Sequence, residues 1–199
     1  VKITLDMDDV LLPFVESWNK WLFETGRTNT ILLTEDVLSW TWHVDNFGTE
    51  SLDYFLNTPS NPYSTVKPYT GAKEFINYCI KNFEDVEILT SCVNSDSFQE
   101  KLKFCEREFE FDRVIPCYTR ADKFKKTKDR VLIDDYPAQI INHVAHNNSP
   151  GIIFNKQQKY GWGRLQDYKT MIDEMTPDMN LLHVASNYGD VIKQLEVIK

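Results

Sequence analysis

Short apolar runs alternate with amphipathic stretches along most of this chain. Lys2-Ile3-Thr4-Leu5 opens as a strand and stops at the acidic cluster Asp6-Met7-Asp8-Asp9. Val86 to Leu89 reads as a second strand ending at Thr90-Ser91, and Val114 to Tyr118 as a third. Val131-Leu132-Ile133 is a fourth, ending at Asp134-Asp135, and Gly151 to Phe154 a fifth. Between them apolar side chains recur at helical spacing: Phe14, Trp18, Trp21 and Leu22 within 13–25, then Ala72, Phe75, Ile76 and Cys79 within 71–82. Residues 95–109, 138–146 and 166–175 read as further helices. Strands alternating with helices predict an α/β domain built on a Rossmann-like parallel sheet. Beyond Pro177 the pattern allows a strand at 181–185 and a helix at 190–198, set on the sheet edge or against a second copy in a homodimer.

One stretch breaks the alternation. Four tryptophans (Trp18, Trp21, Trp40, Trp42) fall within residues 12–65, with Phe14, Phe23, Phe47, Tyr54, Phe55 and Tyr63. Residues 34–57 read as short helices, Thr34 before Glu35-Asp36-Val37 resembles an N-cap, and Pro59, Pro62 and Pro68 mark a returning loop. The expected organisation is a core of 1–12 and 66–176, a small helical cap of 13–65 inserted after the first strand, and an extension of 177–199. Trp18 and Trp21 are expected in the core; Trp40 and Trp42 stand evenly between core and pocket.

Composition narrows the function classes. The 199 residues are 42% hydrophobic and 26% charged, which excludes a disordered or low-complexity chain. A net charge of −8 argues against a binder of nucleic-acid polymers or of a membrane surface, but leaves room for a small anionic substrate held by local positive charge. The four cysteines show no CxxC or Cys/His spacing, so zinc and a disulfide framework are not expected. With reduced thiols, no apolar run near the ~20 residues of a membrane span and no leader-like opening, a cytoplasmic location is expected.

The chemistry gathers at strand ends. In parallel α/β sheets ligands bind beyond the carboxyl ends of the strands. Here those ends carry Asp6 and Asp8, Thr90 and Ser91, and Asp134 and Asp135; Lys123 heads a lysine run with Lys125 and Lys126. Taken singly, each has an ordinary reading: a solvated turn, a helix cap, a charged surface. Clustered carboxylates call for a cation, and oxygen-only ligands favour magnesium. A hydroxyl and an ammonium nearby suit phosphate oxygens. Together they describe a phosphoryl-transfer site.

In order and placement these residues resemble the four motifs of the haloacid dehalogenase superfamily. Within it, Asp6-Met7-Asp8-Asp9-Val10-Leu11 followed by Phe14, Trp40-x-Trp42, Pro68-x-x-Gly71-Ala72, Leu89-Thr90-Ser91, Thr119-Arg120 with Asp122-Lys123, and Leu132-Ile133-Asp134-Asp135 are similar to the 5'(3')-deoxyribonucleotidases and their phage and bacterial relatives. The resemblance implies a magnesium-dependent phosphatase acting on deoxyribonucleoside monophosphates. Asp6 would be the nucleophile and Asp8 the acid–base. Magnesium would lie between the Asp6 carboxylate, the Asp8 carbonyl and Asp134, with Asp135 orienting the ligands. Thr90, Ser91 and Lys123 would hold phosphate, helped by backbone amides of 7–9 and 91–92; Phe14, Trp40 and Trp42 would flank the base. Another small phosphate ester as substrate, or a catalytically silent phosphate-binding module, are the alternatives. A two-component receiver fits the residue types but places its phosphoacceptor after a later strand.

Overall fold

The computed structural model describes residues 1–39, 41–57 and 61–199, with residues 53, 54 and 120 described in their backbone only. Six strands form one parallel sheet: β1 (Lys2–Leu5), β2 (Asp85–Ser91), β3 (Val114–Cys117), β4 (Val131–Asp134), β5 (Gly151–Phe154) and β6 (Leu182–Ala185), in the order β3-β2-β1-β4-β5-β6. Every neighbouring pair runs parallel. Ile3, Leu5, Ile88, Leu89, Leu132, Ile133, Ile152 and Ile153 are fully buried, because helices cover both faces and the strands must be apolar on both sides. Thr4 is the polar exception inside β1; its hydroxyl donates to Glu87 Oε1 (2.9 Å) and accepts from Arg130 Nε (2.8 Å), so its burial leaves nothing unpaired.

The strand order reverses between β1 and β4, where Leu5 is in register with Ile133. This opens a crevice beyond their carboxyl ends, and Asp6 and Asp134 are the residues that enter it. The core helices are α5 (Ala72–Asn82), α6 (Ser95–Phe109), α7 (Pro137–Asn147) and α8 (Lys169–Met175), as the periodicity predicts, with 165–168 forming a separate 3₁₀ turn before the last.

Between β1 and α5 lie the predicted short helices: α1 (Phe14–Glu24), α2 (Trp42–Phe47), α3 (Thr49–Asn57) and α4 (Pro62–Thr65). The expected Thr34 cap is displaced by one residue. Thr34 is buried as the first residue of a 3₁₀ turn, and it is the Leu33 amide that donates to Asp36 Oδ2 (2.9 Å). The proline-marked loop carries α4, with Pro62 in its first turn and Asn61 Oδ1 accepting from the Tyr63 amide (2.9 Å).

The tail is part of the sheet. β6 pairs with β5, and α9 (Tyr188–Ile198) returns over the core. The Tyr188 ring stacks on Phe75 at 4.8 Å and Phe154 at 5.3 Å, and its hydroxyl donates to the Val10 carbonyl (2.7 Å). The last helix thereby braces the loop that carries Asp6 and Asp8. Among the described residues no helix is long and apolar enough to cross a membrane.

Candidate active site

Three carboxylates meet at the crevice. Asp6 leaves β1, its amide still donating to the Ile133 carbonyl (2.8 Å), and Asp134 ends β4. Oxygens of Asp6, Asp134 and Asp135 lie within 4.8 Å of one another, all three residues buried. Lys123, carried on the 3₁₀ segment Arg120–Lys126, is nearly fully buried and bridges Asp6 Oδ1 (2.9 Å) and Asp134 Oδ2 (2.5 Å). Lys125, by contrast, is exposed and pairs with Asp122. Of these two lysines, Lys123 is the one set among the carboxylates.

Burial dominates the electrostatics. It pushes the Asp134 carboxyl up to about 6, against the pull of Lys123, and holds Asp135 well above the usual range with Asp134 adding to the effect. Burial alone would lower the Lys123 ammonium; Asp134 and Asp6 more than reverse it. Asp134 Oδ1 accepts from the Tyr136 amide (2.9 Å) and Asp135 Oδ2 from Trp162 Nε1 (2.6 Å). Asp135 Oδ1 is buried with no partner among the described residues. A lone ammonium against three carboxylates, with one carboxylate oxygen unsatisfied, is the donor set a hard divalent cation completes. Asp135 thus offers an oxygen to that cluster directly, whereas the sequence placed it behind the ligands.

Asp8 points elsewhere. Its Oδ2 takes Lys101 Nζ at 2.6 Å, and Tyr63 OH donates to its Oδ1 (3.1 Å). Burial raises its carboxyl above the ordinary value, with Lys101 opposing and Asp6 reinforcing. Lys101 also donates to Thr90 Oγ1 (2.8 Å) and the Ser91 carbonyl (2.7 Å). Thr90 is fully buried beneath this ammonium, while Ser91 reaches the cavity wall. The expected amide donors are partly taken: Asp9 N–H goes to Leu12 O (2.8 Å) and Cys92 N–H to Cys117 O (3.0 Å).

The Asp8–Asp9 turn is held by its own geometry. Asp9 has φ of 55°, a left-handed conformation that aspartate tolerates better than most residues. Its carboxylate accepts from the Val15 amide at 3.1 Å, placing an acceptor at the start of α1, where Pro13 gives no side-chain cap. Trp162 is presented to Asp135 by the turn Gly161–Gly163, where a Cβ on Gly161 would lie 2.4 Å from the Val37 carbonyl.

Above the carboxylates is a cavity of about 500 Å³. Asp6, Asp8, Lys101, Lys123, Asp134 and Asp135 form its floor; Phe14, Trp18, Val37, His43, Leu52, Leu56 and Tyr63 are among its walls. Phe14 stacks with Tyr63 at 6.1 Å, and Trp18 with His43 at 4.2 Å. Trp42 is absent from this lining and packs edge-on against His43 (5.2 Å) and Phe47 (5.9 Å), while Trp18 is buried in the core, as expected, and also lines the wall. Trp40 lies outside the described residues.

Sequence reasoning missed Lys101, Tyr63 and His43. Lys101 left a signal: on α6 the buried positions are Lys101, Phe104, Cys105 and Phe109, so a lysine occupies the apolar stripe.

No family model and no curated protein matches the chain. Solved structures do share its fold. A HAD family hydrolase from Deinococcus radiodurans R1, with bound phosphate and sodium, matches with a TM-score of 0.65 and 11% identity, over 99% of this chain and 95% of that one. A hydrolase from Pseudomonas syringae matches with a TM-score of 0.54 and 14% identity, over 100% and 99%. A haloacid dehalogenase-like hydrolase from Burkholderia xenovorans LB400 matches with a TM-score of 0.54 and 11% identity, over 96% of each. The chain has the α/β fold of the haloacid dehalogenase-type hydrolases.

Proposed function

We propose that this protein is a magnesium-dependent phosphomonoesterase of the haloacid dehalogenase type that hydrolyses deoxyribonucleoside monophosphates. One observation carries the reading. Asp6, Asp8, Asp134 and Asp135 converge with two buried lysines on the floor of a cavity whose walls are largely aromatic and aliphatic. A volume near 500 Å³ is in the range of small-molecule sites.

Asp6, Asp134 and Asp135, with the Asp8 carbonyl, would hold the cation, which supplies Lewis-acid neutralisation between anionic nucleophile and anionic phosphate. Asp6 attacks phosphorus in line; the P–O bond to the leaving alkoxide breaks and an aspartyl phosphate forms. Asp8 donates its proton to that alkoxide, and a carboxyl lifted by burial is suited to carry one. Water then attacks the acyl phosphate, Asp8 takes its proton, and inorganic phosphate leaves. Lys123 and the Ser91 edge face the non-bridging oxygens, where negative charge must be balanced throughout. Lys101 keeps Asp8 in place and links it to Thr90. The base sits among Phe14, Trp18 and Tyr63, where stacking contributes about 1–3 kcal/mol.

The test is a panel of deoxy- and ribonucleoside 5'- and 3'-monophosphates, deoxyribose 5-phosphate and p-nitrophenyl phosphate, with magnesium and with EDTA. Magnesium-dependent phosphate release that favours deoxynucleotides supports the reading. Equal turnover of unrelated esters defeats the nucleotide assignment, and turnover in EDTA defeats the metal.

A further inference from the structure

Resting on the nucleotide reading above, we infer that His43 is a specificity-determining residue: its Nδ1 accepts a hydrogen bond from an N–H on the edge of the substrate's base. The tautomer follows from the hydrogen bonds. Asn19 Nδ2 donates to the Leu32 carbonyl (3.1 Å), so Asn19 Oδ1 is the acceptor. His43 Nε2 lies 2.6 Å from that oxygen and must carry the proton. In the neutral ring Nδ1 is then a bare lone pair, and it has no partner among the described residues.

The ring is locked before any ligand arrives. It is buried in α2, stacks on Trp18 at 4.2 Å with an 11° interplanar angle, and meets the edge of Trp42 at 5.2 Å. Burial also pushes its pKa down to about 4, which keeps it an acceptor near neutral pH. Nearby polar groups of the cap wall are already engaged: Thr41 Oγ1 donates to Asp45 Oδ2 (2.7 Å), and Ser39 Oγ lies 3.4 Å from Thr41 Oγ1. In the same stack Trp18 Nε1 is buried with no partner among the described residues. The aromatic end of the cavity therefore holds unfilled hydrogen-bonding capacity that a deoxyribose phosphate alone would not use. A planar base with an amine or lactam N–H would.

The experiment compares nucleotides with counterparts whose edge N–H is methylated: dTMP with N3-methyl-dTMP, dCMP with N4,N4-dimethyl-dCMP, dAMP with N6,N6-dimethyl-dAMP. In the parent, blocking the N–H of the favoured base is expected to lower kcat/KM about tenfold. In His43→Phe, which keeps a ring for Trp18 to stack on, the ratio of unmodified to blocked substrate is expected to approach one. His43→Leu supplies the same ratio should His43→Phe not melt cooperatively, and the parent comparison needs no variant. A ratio that persists in both variants means the methyl groups merely clash, and overturns the inference. Nucleotide turnover by the parent without discrimination overturns it too, and leaves the nucleotide reading standing. Turnover of deoxyribose 5-phosphate or p-nitrophenyl phosphate with none of any nucleotide overturns both.

Discussion

The floor and the roof of the cavity are assembled in opposite ways. The floor draws on residues far apart in the chain, Asp6, Lys101, Lys123 and Asp134, brought together because a parallel sheet sets its strand ends side by side. Asp6, Asp8 and Asp134 are each paired with a buried lysine over a short distance, and Asp135 is held by Trp162. The roof comes largely from one contiguous stretch between Phe14 and Tyr63, and is held by ring contacts such as Trp18 on Phe55 at 5.9 Å. In the floor, chemistry depends on which charges face each other; in the roof, selectivity depends on shape and on a few polar atoms. The two therefore break differently when altered.

The largest effect is expected in the floor. Asp6→Asn removes the attacking oxygen's charge, and phosphate release should fall by ~10³-fold or more while the thermal melt stays cooperative. A variant that hydrolyses as fast as the parent would remove Asp6 from the nucleophile's role. Lys123→Met is expected to damage stability as well. It strands Asp6 and Asp134 against each other in a buried site, a loss of about 3 kcal/mol when one partner of a buried pair is removed. Magnesium should restore part of the melting temperature, since a cation can replace the missing ammonium.

Next is the metal itself. Burial raises Asp134 to about 6, above the 3.8 of a free aspartate. As pH rises between those values the unfolded chain ionises first, so without a cation this group's contribution to stability falls over that window. A bound cation must displace the proton, so the melting-temperature gain from magnesium should be smaller at pH 5 than at pH 7. A gain independent of pH would take Asp134 out of the ligand set. Trp162→Phe should weaken magnesium by about 10–100-fold, because Asp135 then loses the 2.6 Å donor that orients it.

How much of this was legible in the sequence follows the same division. The floor could be read because acidic residues and a hydroxyl stand directly at the ends of apolar runs, so Asp6, Ser91 and Asp134 are where strand alternation puts them, while Lys123 stood out only in its lysine run. Lys101 was not read because a lysine within a helix is ordinarily solvated; only its place on the stripe with Phe104 and Cys105 betrays it. The roof was harder. α2 is six residues long, too short for periodicity to say which way neighbouring rings face, and His43 rather than Trp42 turns to the cavity. The tail's strand was marked by Leu182 to Ala185, but its brace on the Val10 carbonyl through Tyr188 spans 178 positions, which no local pattern encodes.

Lys101→Met sharpens the contrast with a smaller change. Lys101 opposes the burial that raises Asp8, so removing it should lift Asp8 further. Water attack needs Asp8 ionised; the ascending limb of the kcat–pH profile should therefore move to higher pH, with the rate at pH 7 falling by roughly tenfold to a hundredfold. An unmoved limb would mean that Asp8 is not the acid–base.

The smallest expected effects separate two tryptophans of the roof. Trp18→Leu removes the wall on which His43 stacks and should raise KM for nucleotides several-fold, with much less change for p-nitrophenyl phosphate, which has no nucleobase to be held there. Trp42→Leu leaves the lining intact, since Trp42 is not part of it and meets it at the edge of His43. It should act on stability instead, by about 1–2 kcal/mol for a half-buried ring, with KM nearly unchanged. If the two variants raise KM equally, the roof is a single cooperative shell in which packing behind the wall matters as much as the wall. If Trp42→Leu has the larger effect, Trp42 rather than Trp18 flanks the base in the liganded enzyme, and α2 must rotate on binding to bring it there.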